Sequence, residues 1–128
     1  MVAITSVYAA VFALFFLVLS ARVARSRVKT LTALGDGGDP GLLRRIRVQA
    51  NAAEYGPLAL LLAAMAEIQG APGLLVHVLG LSLLGGRFLH AYGVSQENER
   101  IAIRVCGMTL TFASIAVGAL ALLWLGLV

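Results

Sequence analysis

Residues 44–54 read RRIRVQANAAE and carry charged and amide side chains into a segment that is otherwise apolar enough to cross a membrane. Arg47, Asn51 and Glu54 are four and three residues apart, which puts their side chains on one face of a helix. Charge at membrane depth is costly, so such side chains usually mark a site or a buried contact between helices. This stretch therefore indicates both where the helices pack and where function should be sought.

The composition around this stretch is that of an integral membrane protein. Of the 128 residues, 60% are hydrophobic and the mean hydropathy is +0.94, whereas roughly 45–50% apolar residues is usual in a soluble domain. Because one membrane span takes roughly 20 apolar residues, the chain has room for four spans with short connections. We therefore expect an all-α protein with a single transmembrane domain.

Turn residues and helix caps divide the chain into these spans. Asp39 followed by Pro40 is typical of an N-cap and a first helical residue, and residues 70–73 read GAPG, which predicts a tight turn. Ser95 is expected to cap the last helix. Residues 1–19 carry no positive charge, so the first span is expected to be a mature helix and not a cleaved signal. The predicted spans are residues 4–24, 40–69, 74–92 and 96–127.

The positive charges predict the orientation of the chain. Seven of the ten Lys and Arg residues lie around the first connection, three lie around the third, and the second has none. By the positive-inside rule both basic connections are cytoplasmic, so both termini are expected on the non-cytoplasmic side. The basic residues flank apolar spans without any nucleic-acid motif, so we expect contact with membrane lipids and not with nucleic acid.

Small residues spaced four apart predict close helix packing. Ser82 with Gly86, and Ser114 with Gly118, have this spacing in the third and fourth spans. Four short helices cannot hide several charges from lipid, so a homo-oligomer with charges facing the seams between subunits is the simplest solution. His77 is expected to be a hydrogen-bonded packing residue. With one cysteine and two histidines, the sequence predicts neither an intrachain disulfide nor a metal site.

Three polar clusters are expected to converge at the cytoplasmic end of the spans. Guanidinium groups bind carboxylate or phosphate in bidentate fashion, a carboxylate at this depth suits an ammonium, and the Asn51 amide can serve a donor or an acceptor. These groups predict a small ligand with at least two anionic groups and room for one amine; alternatively, Arg47 and Glu54 neutralise each other or pair across a subunit seam. The clusters are Arg44, Arg47, Asn51 and Glu54 in span 2, Arg87 and His90 in span 3, and Arg100 and Arg104 in span 4.

Two segments resemble the MAPEG family, the membrane-associated proteins of eicosanoid and glutathione metabolism. Residues 47–58 read RVQANAAEYGPL and residues 86–93 read GRFLHAYG, and the resemblance extends over nearly the whole chain. It implies an up-down four-helix bundle assembled as a homotrimer, with glutathione between neighbouring subunits near the cytoplasmic face. It also implies that Arg104 is catalytic, near the sulfur, and that the glutathione-binding residues are Arg47, Asn51, Glu54, Arg87 and His90.

Three positions depart from the catalytic eukaryotic members that the chain resembles. Ala50 replaces an arginine, Val105 a polar residue and Met108 a tyrosine. The chain looks like the bacterial branch, which implies the bacterial inner membrane. The leading hypothesis is a glutathione-dependent transferase or peroxidase acting on hydrophobic electrophiles that enter from lipid. The alternative is a noncatalytic trimer that binds a lipid headgroup or other anion as an accessory subunit; an anion-conducting pore comes third, because spans 1 and 4 offer few polar residues.

Overall fold

The computed structural model describes residues 2–127 and contains four α-helices in this range. They are α1 (Ala3–Thr30), α2 (Pro40–Ile68), α3 (Gly73–Ser95) and α4 (Ile101–Leu127). The prediction of an all-α four-helix fold is confirmed. By length and composition α1, α3 and α4 can each cross a membrane. Polar and charged side chains interrupt the apolar run of α2, which makes it the most polar of the four helices.

The start of α2 follows the local sequence signals. The Asp39 side chain accepts a hydrogen bond from the backbone N–H of Leu42 at 2.7 Å, and Pro40 is the first helical residue. Proline suits this position because its missing N–H has no partner in the first turn of a helix. The predicted helix start at this dipeptide is therefore confirmed.

The start of α4 differs from the sequence expectation of a helix from residue 96 capped by Ser95. In the structure Ser95 is the last residue of α3, and α4 begins at Ile101. Gln96 has an extended backbone conformation, and its carbonyl accepts a hydrogen bond from the Arg44 guanidinium of α2. Residues 96–100 form a polar link between α3 and α4, and the Arg44 contact joins this link to α2.

The four helices run up and down as antiparallel neighbours. α2 and α3 lie in the middle, α1 packs on one side of this pair and α4 on the other, and within residues 2–127 α1 and α4 do not touch. The α3–α4 contact is the most extensive. A Cβ atom added at Gly107 would lie 2.6 Å from the carbonyl oxygen of Gly86, so glycine at this crossing lets the two backbones meet.

The other small residues have separate contacts. The Ser114 hydroxyl donates to the carbonyl of Leu79 at 2.9 Å, which also joins α4 to α3. A Cβ atom at Gly118 would instead lie 3.2 Å from Leu62 of α2. The small residues of α4 therefore serve two neighbouring helices, and the partner of Gly86 is Gly107.

Polar contacts also join the helices at the end of the bundle where α2 finishes. The Glu67 carboxylate accepts hydrogen bonds from the backbone N–H groups of Ile4 and Thr5, both at 2.8 Å, and so caps the first turn of α1. The Tyr8 hydroxyl and Nδ1 of His77 are 2.9 Å apart. The predicted hydrogen bond of His77 is present, but the side chain is exposed on the surface of the protomer and not packed in its interior.

Candidate functional site

A cavity of about 230 Å³ opens at the basic end of the bundle, the end at which α1 finishes and α2 begins. Four of the six side chains predicted to form the site line it, and they come from α2, α3 and α4, as the helical spacing indicated. The structure therefore brings the three polar clusters together. The lining residues are Leu43, Arg44, Arg47, Asn51, His90, Val94, Glu99 and Arg104.

Glu54 is on the same helix as Arg47 and Asn51 but does not line this cavity. Both Arg47 and Glu54 are exposed on the surface of the protomer. Within residues 2–127 no ion pair joins them, so mutual neutralisation along α2 is not seen. Lipid is a poor environment for a bare carboxylate, and among the described residues Glu54 has no ion-pair partner.

Arg87 is also outside the cavity lining, because it is buried inside the bundle with a relative exposure of 1%. Its Nε and Nη2 donate to the Thr111 hydroxyl of α4 at 3.0 and 2.7 Å, and Nη2 also lies 3.2 Å from the sulfur of Met108. Its Nη1 donates to the side-chain oxygen of Asn51 and to the Asn51 carbonyl. The guanidinium stands over the ring of Tyr55, 5.8 Å from its centroid. Arg87 thus connects α3 to both α2 and α4.

His90 and Asn51 form the inner wall of the cavity. His90 is 5% exposed and lies where α4 approaches the backbone of α3. A Cβ atom at Gly107 would be 2.5 Å from the backbone nitrogen of His90, so this approach depends on glycine. The helix crossing described above therefore also brings the backbone of His90 against α4.

Arg104 forms an ion pair with Glu99, with 2.6 Å between Nη1 and Oε1. The pair is open to solvent: the Arg104 side chain is 50% exposed and that of Glu99 is 33% exposed. Sequence reasoning did not single out Glu99. Inside a continuous helix from residue 96, side chains five apart point in different directions. Because α4 begins only at Ile101, the link places Glu99 beside Arg104.

An apolar groove of about 460 Å³ lies next to the polar cavity and shares Glu99 and Arg104 with it. Two positions that depart from the catalytic pattern, Val105 and Met108, lie in this groove. The lining residues are Glu99, Ile101, Arg104, Val105, Met108, Thr109 and Phe112. The Arg104 guanidinium thus stands at the boundary between a polar and an apolar compartment.

The charge balance of the cavity favours an anion. Its lining carries three arginines against one carboxylate, and guanidinium groups pair with carboxylates through two parallel hydrogen bonds. Within residues 2–127 no three His, Cys, Asp or Glu side chains converge as a metal site would require. The arrangement can bind a small molecule with more than one anionic group.

Comparison with known proteins identifies the relatives of this chain. A family model described as the MAPEG family matches residues 5–124. "Inner membrane protein YecN" of Escherichia coli strain K12 is 37% identical over 121 residues, which cover 94% of this chain and 91% of that protein. The protein of the same name from Escherichia coli O6:H1 strain CFT073 gives the same values. With a family match over nearly its full length and four helices of the predicted kind, this integral membrane protein belongs to the MAPEG family.

Proposed function

We propose that this protein is a glutathione-dependent membrane transferase or peroxidase that acts on hydrophobic electrophiles. The observation that carries this proposal is the meeting of the arginine-lined cavity and the apolar groove at Arg104. A reaction between a water-soluble thiol and a lipid-soluble electrophile needs such a boundary, because each reactant must arrive from its own phase. Family membership supports the proposal, since the MAPEG family includes glutathione transferases.

Glutathione matches the charges of the cavity. The tripeptide has two carboxylates, one ammonium and a thiol. Arg44 and Arg47 supply guanidinium groups from α2 for the carboxylates. Glu99 of the same cavity, or Glu54 on the outer face of α2, supplies a carboxylate for the ammonium. With these roles assigned, Arg104 is the remaining arginine of the cavity, and we assign it to the thiol.

Arg104 provides the chemistry in this proposal. A guanidinium beside the thiol favours the thiolate, which is the nucleophile. In the transferase reaction the thiolate sulfur bonds to the electrophilic carbon. A chlorinated aromatic then releases chloride with the electron pair of the broken bond, whereas an unsaturated aldehyde loses its carbon–carbon π bond and takes up a proton. In the peroxidase reaction two glutathione molecules lose two electrons and two protons to form the disulfide, and a hydroperoxide is reduced to an alcohol and water.

We further propose that the functional unit is a homotrimer with the cavity at the seams between subunits. The exposed Arg47 and Glu54 side chains support this proposal, because a neighbouring protomer would remove them from lipid. The basic connections support a cytoplasmic position for the cavity, with both termini on the opposite side. The inner membrane is the proposed location, in agreement with the name of the Escherichia coli relative.

Turnover by the purified protein tests the function. Glutathione is supplied with chlorinated aromatics, unsaturated aldehydes and lipid hydroperoxides, and conjugates or glutathione disulfide are measured. We expect activity in the wild type that falls by at least about tenfold in Arg104→Ala, since one charge-assisted contact contributes roughly 1.5–3 kcal/mol. Arg25→Ala is the matched control, because Arg25 lies at the exposed end of α1 away from the cavity. Turnover no faster than in buffer across the panel would refute catalysis.

The second candidate is a noncatalytic binder of a lipid headgroup or another anion. The Glu99–Arg104 ion pair favours it, because a carboxylate already occupies the guanidinium that catalysis requires. This candidate predicts phospholipid in the cavity of the purified protein and no calorimetric signal with millimolar glutathione. Saturable glutathione binding together with turnover would exclude it.

A further inference from the structure

The interior of the bundle holds a cation without a counter-ion. Arg87 is 1% exposed, and within residues 2–127 no carboxylate lies within ion-pair distance of its guanidinium. Its donors instead face the Thr111 hydroxyl, the Met108 sulfur and two oxygens of Asn51. A buried charge held only by neutral dipoles is costly, so its position calls for a physical explanation beyond packing.

Thr111 holds Arg87 in a single orientation. The Thr111 hydroxyl is itself fully buried and donates its one proton to the carbonyl of Gly107 at 2.9 Å. With that proton engaged, the oxygen faces Arg87 only with its lone pairs. It accepts from both Nε and Nη2, at 3.0 and 2.7 Å. The remaining guanidinium nitrogen, Nη1, is thereby aimed at Asn51 of α2.

This geometry determines which end of the Asn51 amide enters the cavity. An arginine has only donors, so the group of Asn51 that faces it must be the side-chain oxygen. The amide NH₂ of Asn51 then points the other way, and Asn51 lines the cavity beside Arg47 and His90. We propose that Arg87 is a positioning residue that turns the Asn51 amide N–H donors into the cavity and so selects a carboxylate or carbonyl oxygen of the ligand at that point.

The orientation of the Asn51 amide also determines which charged groups of a ligand the cavity accepts. At Asn51 the cavity offers donors, as it does at Arg44, Arg47 and Arg104, so an ammonium is disfavoured over this whole stretch and is directed toward Glu99 or Glu54. Sequence reasoning left open whether Asn51 donates or accepts, and Arg87 resolves this. The assignment of the acceptor to glutathione rests on the function proposed above, whereas the orientation of the amide depends only on Arg87.

Nuclear magnetic resonance tests the orientation without any ligand. The chain has two asparagines, Asn51 and Asn98, so selective ¹³C,¹⁵N-asparagine labelling gives two side-chain amide groups, which the variant Asn98→Ser assigns. Loss of the guanidinium in Arg87→Met should move the Asn51 Cγ resonance upfield, because its oxygen loses a charge-assisted hydrogen bond. Arg25→Met, at an exposed arginine, should leave it in place. An Asn51 Cγ shift no larger in Arg87→Met than in Arg25→Met would overturn the proposal.

Calorimetry with glutathione then tests the selectivity. Asn51→Asp keeps an oxygen toward Arg87 but replaces the donor in the cavity by an acceptor, so we expect an affinity loss of about tenfold or more without a fall in melting temperature, because the carboxylate also gives Arg87 a counter-ion. Arg87→Met and Asn51→Ala should each lower affinity, and the double variant should be no weaker than Asn51→Ala alone, because Arg87 acts through Asn51. Additive losses, or wild-type affinity in Asn51→Asp, would overturn the proposal.

Thr111→Val is the second variant, for the case that Arg87→Met does not fold. It removes the hydroxyl that orients Arg87 and should move the Asn51 Cγ resonance in the same direction, and an unchanged resonance would refute the proposal. If the wild-type protein does not bind glutathione in calorimetry, the proposed function is refuted. If the Asn51 Cγ resonance nevertheless shifts in Arg87→Met, the proposed orientation of the amide still stands.

Discussion

Adding one methyl group at Gly107 should separate α3 from α4 and deform the cavity. In Gly107→Ala the new Cβ would stand 2.5 Å from the backbone nitrogen of His90 and 2.6 Å from the carbonyl oxygen of Gly86. Both are backbone atoms, which no side-chain rotation can move away. Ordinary van der Waals contact begins near 3.4 Å, so the two helices must separate locally by nearly 1 Å.

Separating the two helices lowers the free energy of unfolding. Overpacking a well-packed interior destabilises by about 1–3 kcal/mol. The Arg87–Thr111 hydrogen bonds cross the same helix pair at 2.7 and 3.0 Å. Lengthened by nearly 1 Å, they would leave hydrogen-bond range, which adds the cost of a poorly solvated cation. We therefore expect Gly107→Ala to lower the free energy of unfolding by at least about 2 kcal/mol.

The matched control is Gly85→Ala on α3, where a new Cβ would meet nothing within 4 Å. Replacing glycine by alanine in an unobstructed helix stabilises by roughly 0.5–1 kcal/mol. Thermal or denaturant unfolding in the same detergent should thus move the two variants in opposite directions, and only Gly107→Ala should lose glutathione affinity. Equal stability of the two variants would refute the close helix crossing as the determinant of the α3–α4 contact.

Three other changes address the charges at the two ends of the bundle. Glu99→Gln frees Arg104 and should raise the affinity for inorganic phosphate, an anion without an ammonium, several-fold, since the Glu99 carboxylate competes with such an anion for Arg104; Glu97→Gln, outside the cavity lining, is the control, and equal affinities in calorimetry would contradict this competition. Glu67→Gln should lower the melting temperature relative to Glu97→Gln, because it removes the negative charge that accepts two backbone N–H groups at the start of α1; hydrogen exchange of the first turn of α1 should rise at the same time, and unchanged exchange would disprove the cap. Asp39→Ala should destabilise by about 1 kcal/mol, as loss of an N-cap does, and Asp39→Asn should retain most of that stability; identical melting of the alanine and asparagine variants would argue against the cap.

Local signals in the sequence predicted those parts of the structure that depend on neighbouring residues. The Asp39–Pro40 dipeptide placed the start of α2, and the spacing of Arg47 and Asn51 placed both on the cavity. The start of α4 was not predicted, because the link before it makes a tertiary contact that local signals do not contain: the Gln96 carbonyl accepts from Arg44, 52 residues away. The position of Glu99 beside Arg104 was not predicted either, because Glu99 lies in this link.

Burial also separates residues that look equivalent in the sequence. Arg87 and Arg104 are both arginines near the basic ends of apolar spans, and both were predicted to be site residues. One is 1% exposed and bonded on every side, whereas the other has a side chain that is half exposed at the cavity. The difference arises from Gly86, Gly107 and Thr111, which draw α4 against α3. The burial of Arg87 could not be predicted from the spacing of residues within α3, because it depends on α4.

The buried guanidinium of Arg87 also constrains how the chain is inserted into the bilayer. An arginine at the centre of a helix costs roughly 2.5–3.5 kcal/mol on insertion scales, and Arg87, which lies toward the basic end of α3, costs less than this. The groups that satisfy Arg87 belong to α2, which is synthesised earlier, and to α4, which follows after a link of five residues. α3 should therefore enter the bilayer at lower cost as a hairpin with α4, once Thr111 has been synthesised, than by itself.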